Sequence, residues 1–565
     1  MQTKLYFSVA LASTLVLTSC KKLGELSADN FTVTPSPMEE VANQVPVTIN
    51  GRFPEKYMKK KATVTVVPVL RYEGGEAVGQ PASFQGEKVQ GNNQEISYKV
   101  GGNYTMKNSF AYVPEMAQSE LYLTFNAKVG KKTVKVPEVK VADGVIATST
   151  LLAMTSRNAN TANAADAYQR IIAQKQEAQI KYLINQAKVR SSELNSVSIK
   201  DFVKMLRDIK ADQKGLQLNG IEVSAYASPD GAFNFNEKLA QQRQGTSSSY
   251  VQGQLKKAAL QTNIDKKYTA EDWDGFQQLV SASNLQDKDV ILRVLSMYQD
   301  PEERETQIRN ISAAYRELAD EILPELRRAR ITMNYNIIGR TDAEIQQQFA
   351  SDASKLSVEE LLYAATLTNN ANEKEGIYNK TTQLFPSDYR AYNNLAELAY
   401  QKGDIAKAQN YLTQAAAKSS AAEVKANEAL FAIAQGNIAK AEQALAKATG
   451  AKNYNEVRGN LNIAKGNFAQ AAQDLRGANT NSAALAQILA KDYTGAAQSL
   501  AAVAKADATT SYLKAILAAR TNQSSTALSN LQDAIAKDAS FKARAAKDLE
   551  FAKLFGDSSF KNLVK

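Results

Sequence analysis

The chain has 565 residues, 44% of them hydrophobic and 22% charged, so several large cores can form and wholesale disorder is excluded. It contains no His and one Cys, Cys20, which removes Ser-His-Asp and Cys-His relays, His-ligated metals, intrachain disulfides and Cys clusters for zinc or iron–sulfur. The 68 Lys plus Arg against 58 Asp plus Glu leave a formal +10 with no basic block along the sequence, which argues against a nucleic-acid partner. No metal site and no cofactor is expected.

The first residues are Met1-Gln-Thr-Lys4, an apolar run from Leu5 to Leu17, then Thr18-Ser19-Cys20. A positive start, a short apolar stretch and small residues before a cut site make a secretory signal peptide over residues 1–19, too short for a permanent span. Leu17-Thr18-Ser19-Cys20 resembles the lipobox of bacterial lipoproteins, which implies acylation of Cys20 and anchorage in the outer membrane. Lys21-Lys22-Leu23-Gly24-Glu25 lacks the acidic run that often follows the Cys of surface-exported Bacteroidota lipoproteins, so the periplasmic face is expected.

After a linker over residues 20–30, residues 31–152 alternate like an all-β sandwich. Strands are expected at Val45–Ile49, Ala62–Val66, Glu95–Val100, Leu121–Phe125 and Thr133–Val136, with turns at Asn50-Gly51, Gly74-Gly75, Gly101-Gly102 and Gly130. Lys59-Lys60-Lys61 is either an interaction patch or a solvated hairpin end.

Residues 161–340 alternate helices with strands, an α/β arrangement. Helices are expected over 166–178, 199–209 and from 235 past 255, and strands at Ile180–Ile184, Ile221–Tyr226 and Arg330–Tyr335. An insertion over 262–323 reads as mostly helical, with Thr269 capping one helix and Asp300 preceding Pro301 at the start of another. Trp273, the sole tryptophan, is either a sugar-stacking platform or a packed anchor.

Asn219-Gly-Ile-Glu-Val-Ser-Ala-Tyr-Ala-Ser-Pro-Asp-Gly231, followed by Asn236-Glu-Lys-Leu-Ala-Gln-Gln-Arg243, resembles the heart of an OmpA-like peptidoglycan-associating domain. The segments Ile184–Arg190 and Leu326–Ile331 extend the likeness, and the preceding β region is similar in pattern to domains found beside OmpA-like domains in Bacteroidota envelope proteins. The resemblance implies a βαβαβ sandwich that binds the diaminopimelate stem peptide of peptidoglycan. It assigns Arg243 to the carboxylate and a turn Asp to the ammonium. Ser228 stands at that Asp position, which removes the acceptor charge; Asp230 lies in the same turn, and Asn236 matches a residue that fixes the loop.

Residues 355–565 are Ala-rich and repetitive. Lys402-Gly403-Asp404-Ile405-Ala406-Lys407-Ala408 recurs at 435–441 and 465–471, its glycines 33 and then 30 residues apart, with a degenerate copy at 491–497. This resembles the tetratricopeptide repeat, a helix–turn–helix unit that stacks into a solenoid whose groove takes a protein partner. Phe541 to Phe555 is expected to close the array as a cap helix.

Together these readings describe a multidomain, non-catalytic outer-membrane lipoprotein that touches peptidoglycan and scaffolds a protein complex. The alternative is an envelope assembly adaptor, fimbrial or secretion-associated, whose OmpA-like domain is only structural. An enzyme would have to use pairs such as Glu302-Glu303 or Glu359-Glu360, yet neighbours on a helix point about 100° apart.

Overall fold

The computed structural model describes residues 23–310, 312–504 and 506–565, so the expected signal peptide and Cys20 lie outside the described residues. The chain divides into two compact units, Met1–Ala165 with Asn369–Lys565, and Asp166–Thr368. The β region and the repeat array thus belong to one unit, although the whole of the other separates them in sequence.

The unit Asp166–Thr368 is built on a four-stranded sheet in the order Ile171–Lys181, Arg328–Ile338, Leu216–Tyr226, Ile264–Thr269. Helices Val197–Ala211 and Phe233–Lys257 bury Ile199, Phe202, Leu206, Val251 and Leu255 with Ile221, Val223, Ile331 and Met333 of the strands. Two expectations are corrected. The helix anticipated over 166–178 is instead the strand Ile171–Lys181, paired antiparallel along its length from Ile171↔Ile338 to Lys181↔Arg328. Its Ala, Gln, Glu and Lys favour helix, but pairing to a central strand and burial of Ala178 and Ile180 outweigh that weak local preference. The insertion is not helical from its start either: Ile264–Thr269 runs parallel to Leu216–Tyr226 as an edge strand. Thr269 therefore ends a strand, and Asp272 caps the helix Trp273–Ala282 by accepting from the Gly275 amide at 2.9 Å. Asp300 does cap as anticipated, accepting from the Glu303 amide at 3.0 Å.

In the other unit, a three-stranded sheet and a seven-stranded sheet face each other. Val45, Val47, Ile49, Tyr104, Met106 and Phe110 of one meet Val64, Val66, Phe84, Leu121 and Leu123 of the other. The long strand Gly102–Ala111 was not anticipated, and the expected strand Glu95–Val100 is reduced to Gln94–Ile96, because Gly101 in the left-handed region (φ +75°) turns the chain at that point.

The C-terminal part is all helical, a stack of helical hairpins. It begins with Ala371–Leu384, later than the expected residue 355, because Val358–Ala364 packs in the other unit. Hairpins follow from Tyr389–Gln401 with Ile405–Lys418 through Ala508–Arg520 with Ser524–Lys537. Gly403, Gly436 and Gly466 make the turns at φ +79°, +74° and +75°. Asp404 and Asn437 cap the following helices by accepting from the amides three residues on. In the degenerate copy Lys491 takes the glycine's place at φ +64°, and Asn522 does so in a further copy at φ +59°. The end of the chain is not one cap helix but helix Ser540–Ala545, a 3₁₀ turn Leu549–Leu554 and helix Ser558–Leu563. Phe541 stacks on Tyr512 at 4.6 Å, and Phe551 meets its edge at 5.6 Å.

The β region is seated on this array. A Cβ on Gly466 would lie 2.3 Å from Val41 Cγ1, and one on Gly144 would lie 2.5 Å from Leu549 Cδ1. Arg544 donates to the Ala147 carbonyl and to Thr150 Oγ1, both at 3.0 Å.

These glycines separate backbone strain from docking. Gly403→Ala meets no atom within 4 Å and should cost about 1 kcal/mol of stability from its left-handed backbone alone. Gly466→Ala should cost more, and Val41→Ala should recover part of the excess in that background while doing nothing for Gly403→Ala. Thermal denaturation of the variants and the double variants checks this.

Candidate functional site

The residues singled out in the central unit gather where strand Leu216–Tyr226 ends and helix Phe233–Lys257 begins. Asn236 is buried and donates from Nδ2 to the Ser228 carbonyl at 3.2 Å and the Gly231 carbonyl at 2.9 Å, which ties the turn to the helix. Ser228 is also buried, and its hydroxyl donates to Asp230 Oδ1.

Arg243 is 0% exposed. Its Nε donates to the Gln186 carbonyl at 3.0 Å, Nη1 to the Tyr226 carbonyl at 2.9 Å and Nη2 to the Leu183 carbonyl at 3.2 Å, and its guanidinium lies over the Tyr182 ring at 5.2 Å. Burial pushes its pKa down to about 10, still well above neutral, so it remains a cation. The expected reader of a carboxylate is therefore turned inward. It ties the carbonyls of the 183–186 loop to that of the strand end.

Asp230 is engaged too. Arg327 Nη2 bonds its Oδ2 at 3.1 Å and Arg327 Nε reaches Ser228 Oγ at 3.3 Å, with both side chains of the ion pair mostly buried. Sequence reasoning placed Arg327 at the start of the last strand without giving it this role. The expected opposition of a free cation and a free carboxylate is instead an internal pair that closes the turn. Nearby, Trp273 is half-buried, edge-on to Phe276 at 5.6 Å, with Arg304 over its ring at 5.7 Å and its Nε1 donating to Glu271 at 3.0 Å; it packs as an anchor. Of the carboxylate pairs, Glu302 and Glu303 face solvent, while Glu360 accepts from Ser357 and Arg340.

The second site lies along the array. After the 3₁₀ turn Ser156–Asn158, residues 159–164 run across the first helix of successive hairpins, and asparagines of those helices hold their backbone. Asn427 accepts from the Ala162 amide at 2.8 Å and donates to the Ala162 carbonyl at 2.9 Å; Asn394 does the same for Ala164, at 2.8 and 2.9 Å. Asn393 adds a bond to the Ala162 carbonyl at 2.8 Å. One hairpin further, Glu456 accepts from the Asn160 amide at 3.0 Å and Asn453 donates to its carbonyl at 2.8 Å. Tyr400 donates to the Ser156 carbonyl at 3.0 Å. Ala159, Ala162 and Ala164 are buried, and their small size lets the segment lie close to the helices. The surface expected to take a partner is thus occupied by the chain's own residues 156–164. These residues were missed in the sequence. The signal was there: Asn393, Asn427 and Asn460 recur 34 and 33 residues apart, buried polar side chains at one position of the repeat.

No family model matches the chain, and no curated protein matches it. Among solved structures, the chain is similar to a tetratricopeptide repeat protein from Parabacteroides merdae, at 13% identity over 40% of this chain and 89% of that one, with a TM-score of 0.28. PilW, described as a widely conserved type IV pilus biogenesis factor, matches at 15% identity over 38% of this chain and 100% of its own, with a TM-score of 0.26. The pilF protein of Pseudomonas aeruginosa matches at 20% identity over 40% and 98%, with a TM-score of 0.25.

Two carboxylates of the groove carry a pH signature. Burial raises the pKa of Glu456 and of Glu397, the latter bonded by Asn163 Nδ2 at 3.0 Å. A raised folded-state pKa means that the folded chain holds these protons to higher pH than the unfolded chain, so stability falls as pH rises through the raised values. Glu456→Gln should remove part of that fall, making thermal stability less dependent on pH across the weakly acidic range. An unchanged pH profile in melting experiments would contradict the assignment.

Proposed function

We propose that this chain is a non-catalytic scaffold of a bacterial outer membrane, tethered through acylated Cys20, in which the OmpA-like unit is a structural module and the β region and array form the platform for a protein partner. One observation carries the choice between this reading and a wall tether: Arg243 is spent on three backbone carbonyls inside the fold. The neighbouring Asp230–Arg327 ion pair, in the absence of a carboxylate at residue 228, supports the same reading. Binding a diaminopimelate ammonium and carboxylate there would require opening that pair and withdrawing Arg243 from its carbonyls, at a cost of about 1–3 kcal/mol for each buried group left unpaired.

The occupied groove limits where a protein partner could sit. With Asn393, Asn394 and Asn427 engaged by residues 162 and 164, partner contacts fall to the outer helices of the hairpins, to the β region or to other outward faces.

The test has two arms. The chain from residue 20 onward, incubated with isolated sacculi, should stay in the supernatant on centrifugation. Arg243→Ala should destabilise the central unit by about 3 kcal/mol or more without changing that distribution. Saturable co-sedimentation abolished by Asp230→Asn would overturn the proposal in favour of a wall tether. Separately, Cys20→Ser should move the protein from the membrane fraction to the soluble fraction of cells expressing the full chain.

A further inference from the structure

The lysines of the β region, scattered in sequence, converge at one end of the sandwich. The loop 54–61 carries Lys56, Lys60 and Lys61 exposed and Lys59 over the Tyr98 ring at 5.3 Å. Backbone hydrogen bonds fasten this loop to its neighbours: Lys88 N donates to the Lys60 carbonyl at 2.7 Å, Gly130 N to the Lys61 carbonyl at 2.9 Å, and Lys56 N to the Tyr98 carbonyl at 2.7 Å. Exposed Lys88, Lys131 and Lys132 are thereby brought beside the first group. Opposing them, Glu87 is 3.6 Å from Lys60, and Glu55 is 3.4 Å from Lys56. Positive charge dominates this end. The adjoining turn also carries Val100, 73% exposed between Lys99 and Gly101, an apolar side chain at the tip of a basic surface.

The chain enters the fold at this same end. Leu23 is buried in the sandwich core, and Gly24 packs on Tyr57, a Cβ there lying 3.1 Å from its ring. Tyr57 sits between Lys56 and Lys59 in the basic loop. Cys20 is three residues before Leu23, a reach of at most about 11 Å, and the two intervening residues are Lys21 and Lys22.

We infer that this lysine-rich end is a docking surface for the anionic phosphate headgroups of a phospholipid bilayer, held against the membrane by its nearness to residue 20. The facing orientation rests on the acylation of Cys20 proposed above; the headgroup binding does not, and it is measured without the acyl chains. A single anchor and a polybasic surface are the two signals that together make membrane attachment stable, and each lysine near an anionic surface contributes about fivefold in affinity.

The experiment uses unacylated chain beginning at Lys21, sedimented with vesicles of phosphatidylcholine alone or with about one third phosphatidylglycerol. Binding is expected only to the anionic vesicles and should weaken as salt is added. Replacing Lys59, Lys60 and Lys61 by Ser should lower the apparent affinity roughly 100-fold with unchanged melting. Replacing the exposed Lys440, Lys447 and Lys452 of the array, an equal change in net charge, should leave it within about twofold. Absence of binding to anionic vesicles, or equal loss in the two triple variants, would overturn the inference. So would displacement by millimolar inorganic phosphate, which would mean a site for a small free anion, or tighter binding to RNA than to vesicles. Cys20→Ser combined with Lys59→Ser, Lys60→Ser and Lys61→Ser should be soluble in cells; if that protein stays membrane-bound the anchor reading fails, while vesicle binding by the unacylated chain decides the headgroup surface on its own.

Discussion

The first unit depends on satisfying the backbone of one short extended segment. Residues 159–164, which follow the 3₁₀ turn Ser156–Asn158, have no strand to pair with, and a buried peptide group without a partner costs about 1–3 kcal/mol. Asn394 and Asn427, reading one residue each through both amide and carbonyl, discharge that cost at alternate residues, with Glu456 and Asn453 completing the series at Asn160. An asparagine amide presents a donor and an acceptor at the spacing of a peptide group, so it mimics a neighbouring strand from the side of a helix. Through these contacts a β region and a helical array separated by an entire intervening unit become one compact body.

The same constraint explains the central unit. The loop 183–186 and the strand end at Tyr226 bring three carbonyls together around Arg243, and the guanidinium fork is the side chain able to serve them at once. A neutral Ser228 suits the same pocket: with Asp230 committed to Arg327, an acid at residue 228 would bury another charge beside the pair.

Much of the architecture was legible because it is written in local periodicity. Alternation marked the strands around Val47, Val64 and Leu123, and the Gly-Asp and Gly-Asn turns at 403, 436 and 466 marked the hairpins. What escaped was decided by long-range pairing. Ile171–Lys181 has a helix former's composition and is a strand because Arg328–Ile338 lies beside it. Ile264–Thr269 is short and exposed along most of its length, with no alternation to announce it. The turn at Lys491 was obscured because a lysine occupies a conformation that favours glycine, which the adjoining helices impose at a local cost of about 1 kcal/mol. At the candidate site, residue identity was legible in Arg243, Ser228, Asp230 and Asn236, but direction was not: whether a side chain faces a ligand or its own backbone depends on the 183–186 loop, which pattern alone does not place.

Charge shows the same limit from the other side. A formal +10 over 565 residues, with no long basic run, carries little weight as a linear quantity. Folding changes its meaning, because hairpin ends that are distant in sequence share one rim of a sandwich, and the hydrogen bonds of the Lys60 and Lys61 carbonyls fix which ends those are. Lysines at the rim avoid the strand interiors, where desolvation would penalise them, and their flexible stems keep the ammonium groups in water. A surface assembled this way is electrostatically sharp while the composition stays bland.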